Sequence, residues 1–354
     1  MTRVFEVSRE TFVTGRIEST ATSTVNDGDI LLSIESVALT ANNVTYAIFG
    51  DQIGYWRFFP GSDPAKGRVP AWGFATVSVS QHPQIRVGSR WYGFLPIATQ
   101  LTVRPKHVSD DAFMAADGHR RDLPAAYNRY RAATSANGFD ADNDVINMVF
   151  RPLFLTGYLI AETLDNQVAG ASAIVSSASS KTAIAVAADI RRRGNRRCVG
   201  LTSAGNQSFV ESLGIYDRVV AYDAIDSLNA EPTAFVDIAG HAGTRNAVHD
   251  RFANNLLASL AVGASHGAIP ASAPSAGPAP QLFFAPAVYD ERVAAIGSQA
   301  FEQAFGAAWL AFAQQAASWL EPRITDALEA VPALWDRLVA GDIPANQALI
   351  VRPQ

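Results

Sequence analysis

A two-domain α/β chain is the expectation here: a β-rich domain followed by a parallel, doubly wound sheet. Length is the first reason, since 354 residues amount to about two domains at roughly 150 residues each. The second is a period-two alternation of apolar and polar residues through the first hundred positions, punctuated by Gly and Pro. The third is a regular exchange of strand and helix patterns from residue 171 onward, which argues a parallel sheet. With 48% hydrophobic and 17% charged residues the chain can bury a sizeable core, and wholesale disorder is ruled out.

Residues 28–37, 76–80 and 90–94 read as strands of the first domain, with Asn26-Asp27-Gly28-Asp29 as a turn signal before the first. The polar segment 107–144 is too long for an ordinary connection and is expected to be a structured insertion or a functional cover. Residues 148–164 read as a helix, 171–176 as a buried strand, and 182–193 as a helix with a basic last turn and Gly194 as its cap. Strands follow at 198–202, 218–222, 233–238 and within 255–263, with a short helix at 207–213. The Ala, Pro, Ser and Gly run 268–280 is a loop, and 281–286 offers a further short apolar strand. Phe301, Phe305, Trp309 and Phe312 mark one closing helix, and Ile324, Leu328, Val331, Trp335 and Leu338 mark a second. Residues 348–351 form a final strand.

Charge and composition exclude several functions. The net charge is −5 and no basic block exceeds Arg191-Arg192-Arg193, so no nucleic-acid partner is expected. Cys198 stands alone, which excludes a disulfide framework and a multi-cysteine zinc site. The histidines His82, His107, His119, His241, His249 and His266 show no paired ligand spacing, so no metal is expected. The start lacks the apolar run of a signal peptide, and no stretch approaches 18 uncharged apolar residues. A cytoplasmic protein without membrane contact is the baseline.

The most informative stretch is Ser176-Ser177-Ala178-Ser179-Ser180-Lys181-Thr182-Ala183, at the first strand-to-helix turn of the doubly wound unit. A dinucleotide pyrophosphate rests at such a turn, and glycines ordinarily allow its close approach. Here Ser177, Ser180 and Ala183 occupy the glycine places. The hydroxyls of Ser177, Ser179, Ser180 and Thr182 and the Lys181 ammonium can donate to phosphate oxygens. They can equally cap the helix or narrow the site against a pyrophosphate. The next strand tip, Thr202-Ser203-Ala204-Gly205-Asn206, has no acid for ribose hydroxyls before Glu211. Ser203 and Asn206 leave room for a 2′-phosphate, so NADPH is favoured if a nicotinamide dinucleotide binds; an ordinary capped loop is the alternative.

Several stretches together resemble the medium-chain dehydrogenase/reductase superfamily, in its zinc-independent quinone and enoyl reductase branch. Residues 28–40 resemble the strand leading to that branch's Asn-x-x-Asp motif, with Thr40 and Asn43 in the motif's places. Val87-Gly88-Ser89-Arg90-Trp91 is similar to the family's Val-Gly-Asp-Arg-Val, and Leu155-Thr156-Gly157-Tyr158 to its Leu-Thr-Ala-Tyr helix near the nicotinamide. Val219-Val220-Ala221-Tyr222 and Phe235-Val236-Asp237-Ile238-Ala239-Gly240 are similar to two further strand ends, which adds Thr156, Tyr222 and Gly240 to the implied cofactor contacts. A bacterial family of unknown function is more similar still, sharing His119-Arg120, Tyr127-Asn128-Arg129-Tyr130 and the serine-lysine loop.

What the superfamily resemblance implies is a GroES-like catalytic domain over 1–144, containing the insertion 107–144. A Rossmann domain over 145–305 and a return to the catalytic domain over 306–354 complete it. It also implies an active site in the cleft between domains and a homodimer formed by pairing of sheet edges; His119, Arg120, Tyr127, Asn128 and Tyr130, a cluster of functional groups in the insertion, lead to the expectation that the insertion covers that cleft. In this branch hydride goes to the β-carbon of an activated alkene, and enoyl-thioester members use a loop tyrosine. Tyr55 is the corresponding acid, Tyr46 the second, with Asn43 and Tyr127 as further catalytic candidates. A phenol is neutral at pH 7 and can donate to an incipient oxyanion. The expectation is an NADPH-dependent reductase of an enone, quinone or enoyl thioester, acting on a small molecule. The alternatives are a non-redox lyase, hydrolase or hydratase on the same fold with a degenerate cofactor loop, and a non-catalytic binding protein.

Overall fold

Alternating side chains place one face of the strand Ile30–Leu39 in a core, and this strand organises the first half of the chain. In the computed structural model, which describes residues 1–263, 274 and 276–353, it pairs antiparallel with Pro70–Ser80, which in turn pairs with Arg90–Pro96. Its other edge takes the C-terminal strand Gln347–Val351. Gly73 lies where this pairing is tightest: a Cβ there would stand 2.2 Å from the Ser36 carbonyl oxygen. A three-stranded sheet of Thr2–Ser8, Gly15–Thr20 and Lys66–Gly67 packs nearby, with Phe5 against Trp335 at 5.8 Å.

The second half is a parallel six-stranded sheet, beginning in spatial order with Arg218–Ala221, Cys198–Thr202, Ser172–Val175 and Thr233–Asp237. Leu256–Ala261 and Gln281–Leu282 complete it. Helix Lys181–Arg193 ends at Gly194, whose φ of 66° is the left-handed value a terminal cap requires. Gly157 lets helix Asp144–Gln167 approach that helix closely, since a Cβ would stand 2.7 Å from the Ala185 backbone.

Two compact units result, Met1–Val149 with Trp319–Gln354, and Phe150–Ser318. These limits fall later than the 145 and 305 implied by the superfamily resemblance. Helix Ser298–Ala317 is continuous, and its Phe312 packs on Phe150 at 5.1 Å and on Phe154 at 4.6 Å. A cut at 305 would divide that packing.

Other expectations are decided or corrected. Of the two readings of segment 107–144, a structured insertion is what the strands show, Ala112–Ala115 and Arg129–Ala132 extending the antiparallel sheet beyond Arg90–Pro96. Tyr130 is fully buried and stacks on Phe113 at 4.9 Å, and Arg120 is only 1% exposed. Ile324 belongs to a strand, Glu321–Thr325, rather than to the last helix, which spans Val331–Val339. Pairing with Gln347–Val351 overrides the helical spacing there. The apolar stretch 281–286 is strand only at Gln281–Leu282 and then turns into helix Ala285–Ile296. Helix Ala41–Ile48 interrupts the strands of the first unit, held by the Thr40–Asn43 capping box. The helix over Ala141–Gln167 is long and apolar enough to cross a membrane, with mean hydropathy 1.3, but 67% of that apolar window is buried in the protein. His266 lies outside the described residues, as does the expected 268–280 loop apart from 274 and 276–280.

Candidate functional site

The serine-rich turn stands at the carboxyl end of the central strand Ser172–Val175, the place where doubly wound sheets receive ligands. Ser177 adopts a left-handed φ of 51°, the conformation a glycine would ordinarily supply. Its backbone N–H donates to the Tyr222 hydroxyl at 3.0 Å. Ser180 is the N-cap of helix Lys181–Arg193, its hydroxyl accepting from the Ala183 N–H at 3.2 Å. Ser179 accepts from the Asn206 side-chain amide at 3.1 Å, which ties this turn to the end of the neighbouring strand. Thr182 is half-buried in the first helical turn, and Ser203 is exposed at the strand tip.

Lys181 is half-buried, and burial pushes its ammonium down to about 8. Thr156 turns its hydroxyl to the Pro152 carbonyl at 3.3 Å. Gly240, at a φ of 69°, donates its N–H to Asp237 at 3.0 Å.

Beneath this turn lies a buried polar network that sequence reasoning did not single out. The Asp237 carboxylate pairs with Arg245 at 2.8 Å and also accepts the Ser176 hydroxyl at 3.0 Å. The Ser176 oxygen in turn accepts from the N–H groups of Ile238 and Ala239. All three side chains are buried. The available signal was an acid closing an apolar strand, with an arginine eight positions later.

In the first unit, Tyr46, Tyr55 and Tyr127 come together. The Tyr55 and Tyr127 hydroxyls are 3.0 Å apart, and the rings of Tyr46 and Tyr55 lie 4.6 Å apart. The Tyr46 oxygen accepts from the Asn42 amide at 2.7 Å and from the Trp72 indole N–H at 3.3 Å. Burial raises the pKa of all three phenols, so they remain neutral through the physiological range. Asn43 does not join them. Its carbonyl accepts from the Thr40 N–H at 2.6 Å and its amide donates to the Pro70 carbonyl at 2.7 Å, so its polar atoms hold backbone.

Arg120 underpins Tyr127 from behind, donating to the Asn128 side chain at 2.9 Å, to the Tyr127 carbonyl at 3.3 Å and to the Tyr130 hydroxyl at 3.4 Å. His119 reaches the Phe58 carbonyl at 3.3 Å, and desolvation lowers its pKa. Among the described residues no group of three or more His, Cys, Asp or Glu is placed to hold a metal ion. Cys198 is buried, and its thiol is pushed far up by that burial.

The second unit's turn can hold a dinucleotide phosphate. Ser177, Ser179 and Thr182 supply hydroxyls, Lys181 a cation, and the first turn of the helix its amide dipoles. The adjacent strand tip, Ser203 to Asn206, presents small polar residues and no carboxylate.

Comparison with solved structures shows the same fold at low sequence identity. CurA from Vibrio vulnificus, in complex with NADPH, superposes with a TM-score of 0.66 at 11% identity, over 100% of this chain and 99% of that one. The yhdH oxidoreductase from Salmonella enterica, in complex with NADP, gives 0.58 at 13% identity over 100% of both chains. The Etr1p complex with NADP and crotonyl-CoA gives 0.62 at 11% identity over 99% of both. The chain therefore shares the fold of these proteins, a GroES-like β-rich unit and a Rossmann unit. No curated protein matches the chain. The profile of one family, described as "Protein of unknown function (DUF2855)", matches residues 37–344, and the chain belongs to that family.

Proposed function

We propose that the chain is an NADPH-dependent oxidoreductase of the zinc-independent type, reducing the activated double bond of an enone, quinone or enoyl thioester. The observation that carries this reading is the serine-lysine turn at the carboxyl end of the central parallel strand, beside a strand tip that bears no acid. It is supported by the NADP or NADPH present in three of the solved structures that share the fold. Ser177, Ser179, Lys181 and Thr182 hold the pyrophosphate, and Ser203, Asn206 and Tyr222 the 2′-phosphate end. NADPH supplies the hydride when bound. Tyr55 donates its hydroxyl proton as a hydrogen bond to the substrate oxygen on which negative charge develops.

Titration with NADPH tests this directly. A ligand at 100 times its dissociation constant stabilises by about 2.7 kcal/mol, which a melting scan resolves. No shift with millimolar NADPH or NADH overturns the reading. It would favour the alternative of a non-redox enzyme on the same fold, for which there is one specific observation: the Ser177 N–H is already taken by Tyr222 and the Ser180 hydroxyl by its own helix.

Lys181 adds a pH signature. Its folded-state pKa, about 8, lies below the 10.5 usual for a lysine, so in that window the unfolded chain binds more protons and stability rises with pH. A phosphate beside the amine favours the charged form, so binding takes up a proton above pH 8. NADPH affinity is expected to hold steady below pH 8 and to fall by up to about tenfold per pH unit above it. Lys181→Met should weaken binding and flatten that profile, as isothermal titration in two buffers would show. An unchanged profile in the variant would assign Lys181 to the fold alone.

A homodimer is also part of the proposal. Strand Gln281–Leu282 stands at the end of the parallel sheet with Leu282 62% exposed, an edge whose pairing across a two-fold axis would cover it. Light scattering at micromolar concentration should give about twice 37.8 kDa; the mass of one chain would reject the dimer.

A further inference from the structure

An open groove of about 540 Å³ indents the first unit, a volume within the range of small-molecule sites. Strand pairing sets polar side chains along its wall. Ser33 stands opposite Thr76 on one neighbouring strand and opposite Gln100 on the other, and Glu35 follows two positions along. Arg3 and Ser19, themselves cross-strand partners, line it from the three-stranded sheet, and Pro353 adds apolar surface.

The charged groups of this groove are already matched within the unit. Arg3 pairs with Glu329, and the Glu35 carboxylate takes the Arg90 guanidinium at 2.7 Å and the Thr76 hydroxyl. Arg90 is held in turn by Asp144 at 2.6 Å. The neutral groups are not matched. The Gln100 side-chain carbonyl accepts from Thr2 at 3.4 Å and from Thr22 at 3.3 Å, whereas its NH2 has no partner among the described residues. The Ser19 and Ser33 hydroxyls have none there either. The Glu35 side chain is 34% exposed, and a carboxylate has about four acceptor positions, so each of its oxygens has room for a further donor.

We propose that this groove binds a neutral polyol of the monosaccharide class, with a vicinal diol on Glu35 and further hydroxyls on Ser19, Ser33 and the Gln100 amide. Charge selects the class: Arg3 and Glu35 are each ion-paired, so an ionic ligand would bring a charge with no free counterpart. Hydroxyls both donate and accept, which suits a carboxylate that only accepts and an NH2 that only donates. Arg90 and Thr76 fix Glu35, and two threonines fix Gln100, so little side-chain freedom is lost on binding. None of these residues belongs to the tyrosine cluster or to the serine-lysine turn, and the site does not rest on the reductase reading.

The full chain is titrated with methyl α-D-glucopyranoside, methyl α-D-mannopyranoside and myo-inositol by calorimetry, with saturation-transfer NMR to register weak contact. At least one is expected to bind with a dissociation constant of about 1 mM, which modest ligand efficiency gives for about a dozen heavy atoms. Added salt should leave that affinity unchanged, and gluconate, an anionic relative, should bind no more tightly. Gln100→Ala should weaken binding by about threefold to tenfold and Glu35→Gln by about tenfold to a hundredfold, the ranges for a neutral and a charged hydrogen bond. Ser33→Leu fills the groove without removing a side-chain bond, so it should abolish binding and leave the melting temperature unchanged. Binding that survives Ser33→Leu, tighter binding of gluconate, or no binding of any of the three polyols at tens of millimolar would each overturn the proposal. No sample contains NADPH, so this outcome is separate from that of the NADPH titration.

Discussion

Arg120→Ala is expected to destabilise the first unit by about 2–4 kcal/mol, the cost of leaving buried hydrogen-bond partners unmatched and removing a large buried side chain. The guanidinium satisfies the Asn128 carbonyl, the Tyr127 carbonyl and the Tyr130 hydroxyl, and sits over the rings of Phe59 at 5.0 Å and Phe58 at 5.5 Å. Cation–π contact adds to these bonds, more so when desolvated. A fall in melting temperature of roughly 2–4 °C per kcal/mol is the measurable consequence for a unit of this size. Arg120→Lys keeps the charge but cannot reproduce three directed bonds, so it should recover only part of the loss. A melting point unchanged by Arg120→Ala would contradict its role as a buried strut.

Asp237→Ala should be more damaging, at about 3–5 kcal/mol, the range for breaking a buried ion pair from one side. Arg245 is 5% exposed and would be left as an uncompensated buried cation. The Ser176 hydroxyl and the Gly240 N–H would lose their acceptor at the same stroke. Asp237→Asn, which keeps one carbonyl oxygen for those donors, should cost less. The double variant Asp237→Leu/Arg245→Met should recover much of the single-variant loss, because an apolar pair removes both charges together. Chemical denaturation of the three variants checks the order, and equal losses in Asp237→Ala and the double variant would contradict it. Since Ser176 precedes the left-handed Ser177, NADPH affinity in Asp237→Asn also reports how far this network sets the turn.

Much of the second unit was legible because its signals are local. Strand Cys198–Thr202 has the bounds read from the sequence, and the limits of helix Lys181–Arg193 differ by one residue at its start. A cap, a basic last turn and a buried apolar run act within a few residues of one another, so spacing suffices. Ser180 and Lys181 could be located at the turn for the same reason. What they do there could not be read, since a serine hydroxyl serves a phosphate or its own helix equally well.

Ile324 shows the opposite case. Its spacing with Leu328, Val331 and Trp335 suits a helix, yet pairing with Gln347–Val351 makes it strand. Tertiary context overrides a periodic pattern where a sheet edge is available. Asn43 is a similar lesson at the site: a motif position suggested chemistry, and two backbone partners occupy its amide.

By itself, then, the sequence determined the succession of elements and the place of the serine-lysine turn, both set by contacts a few residues apart. Only the tertiary structure decided which side chains share a site. Tyr55 and Tyr127 meet across 72 positions, and Ser176 finds Asp237 across 61. It also decided that Arg120 is a buried strut and that Lys181 is half-buried, because burial depends on what packs from elsewhere in the chain. No periodicity within a window encodes those distances; they follow from which strands pair and what the sheets bring together.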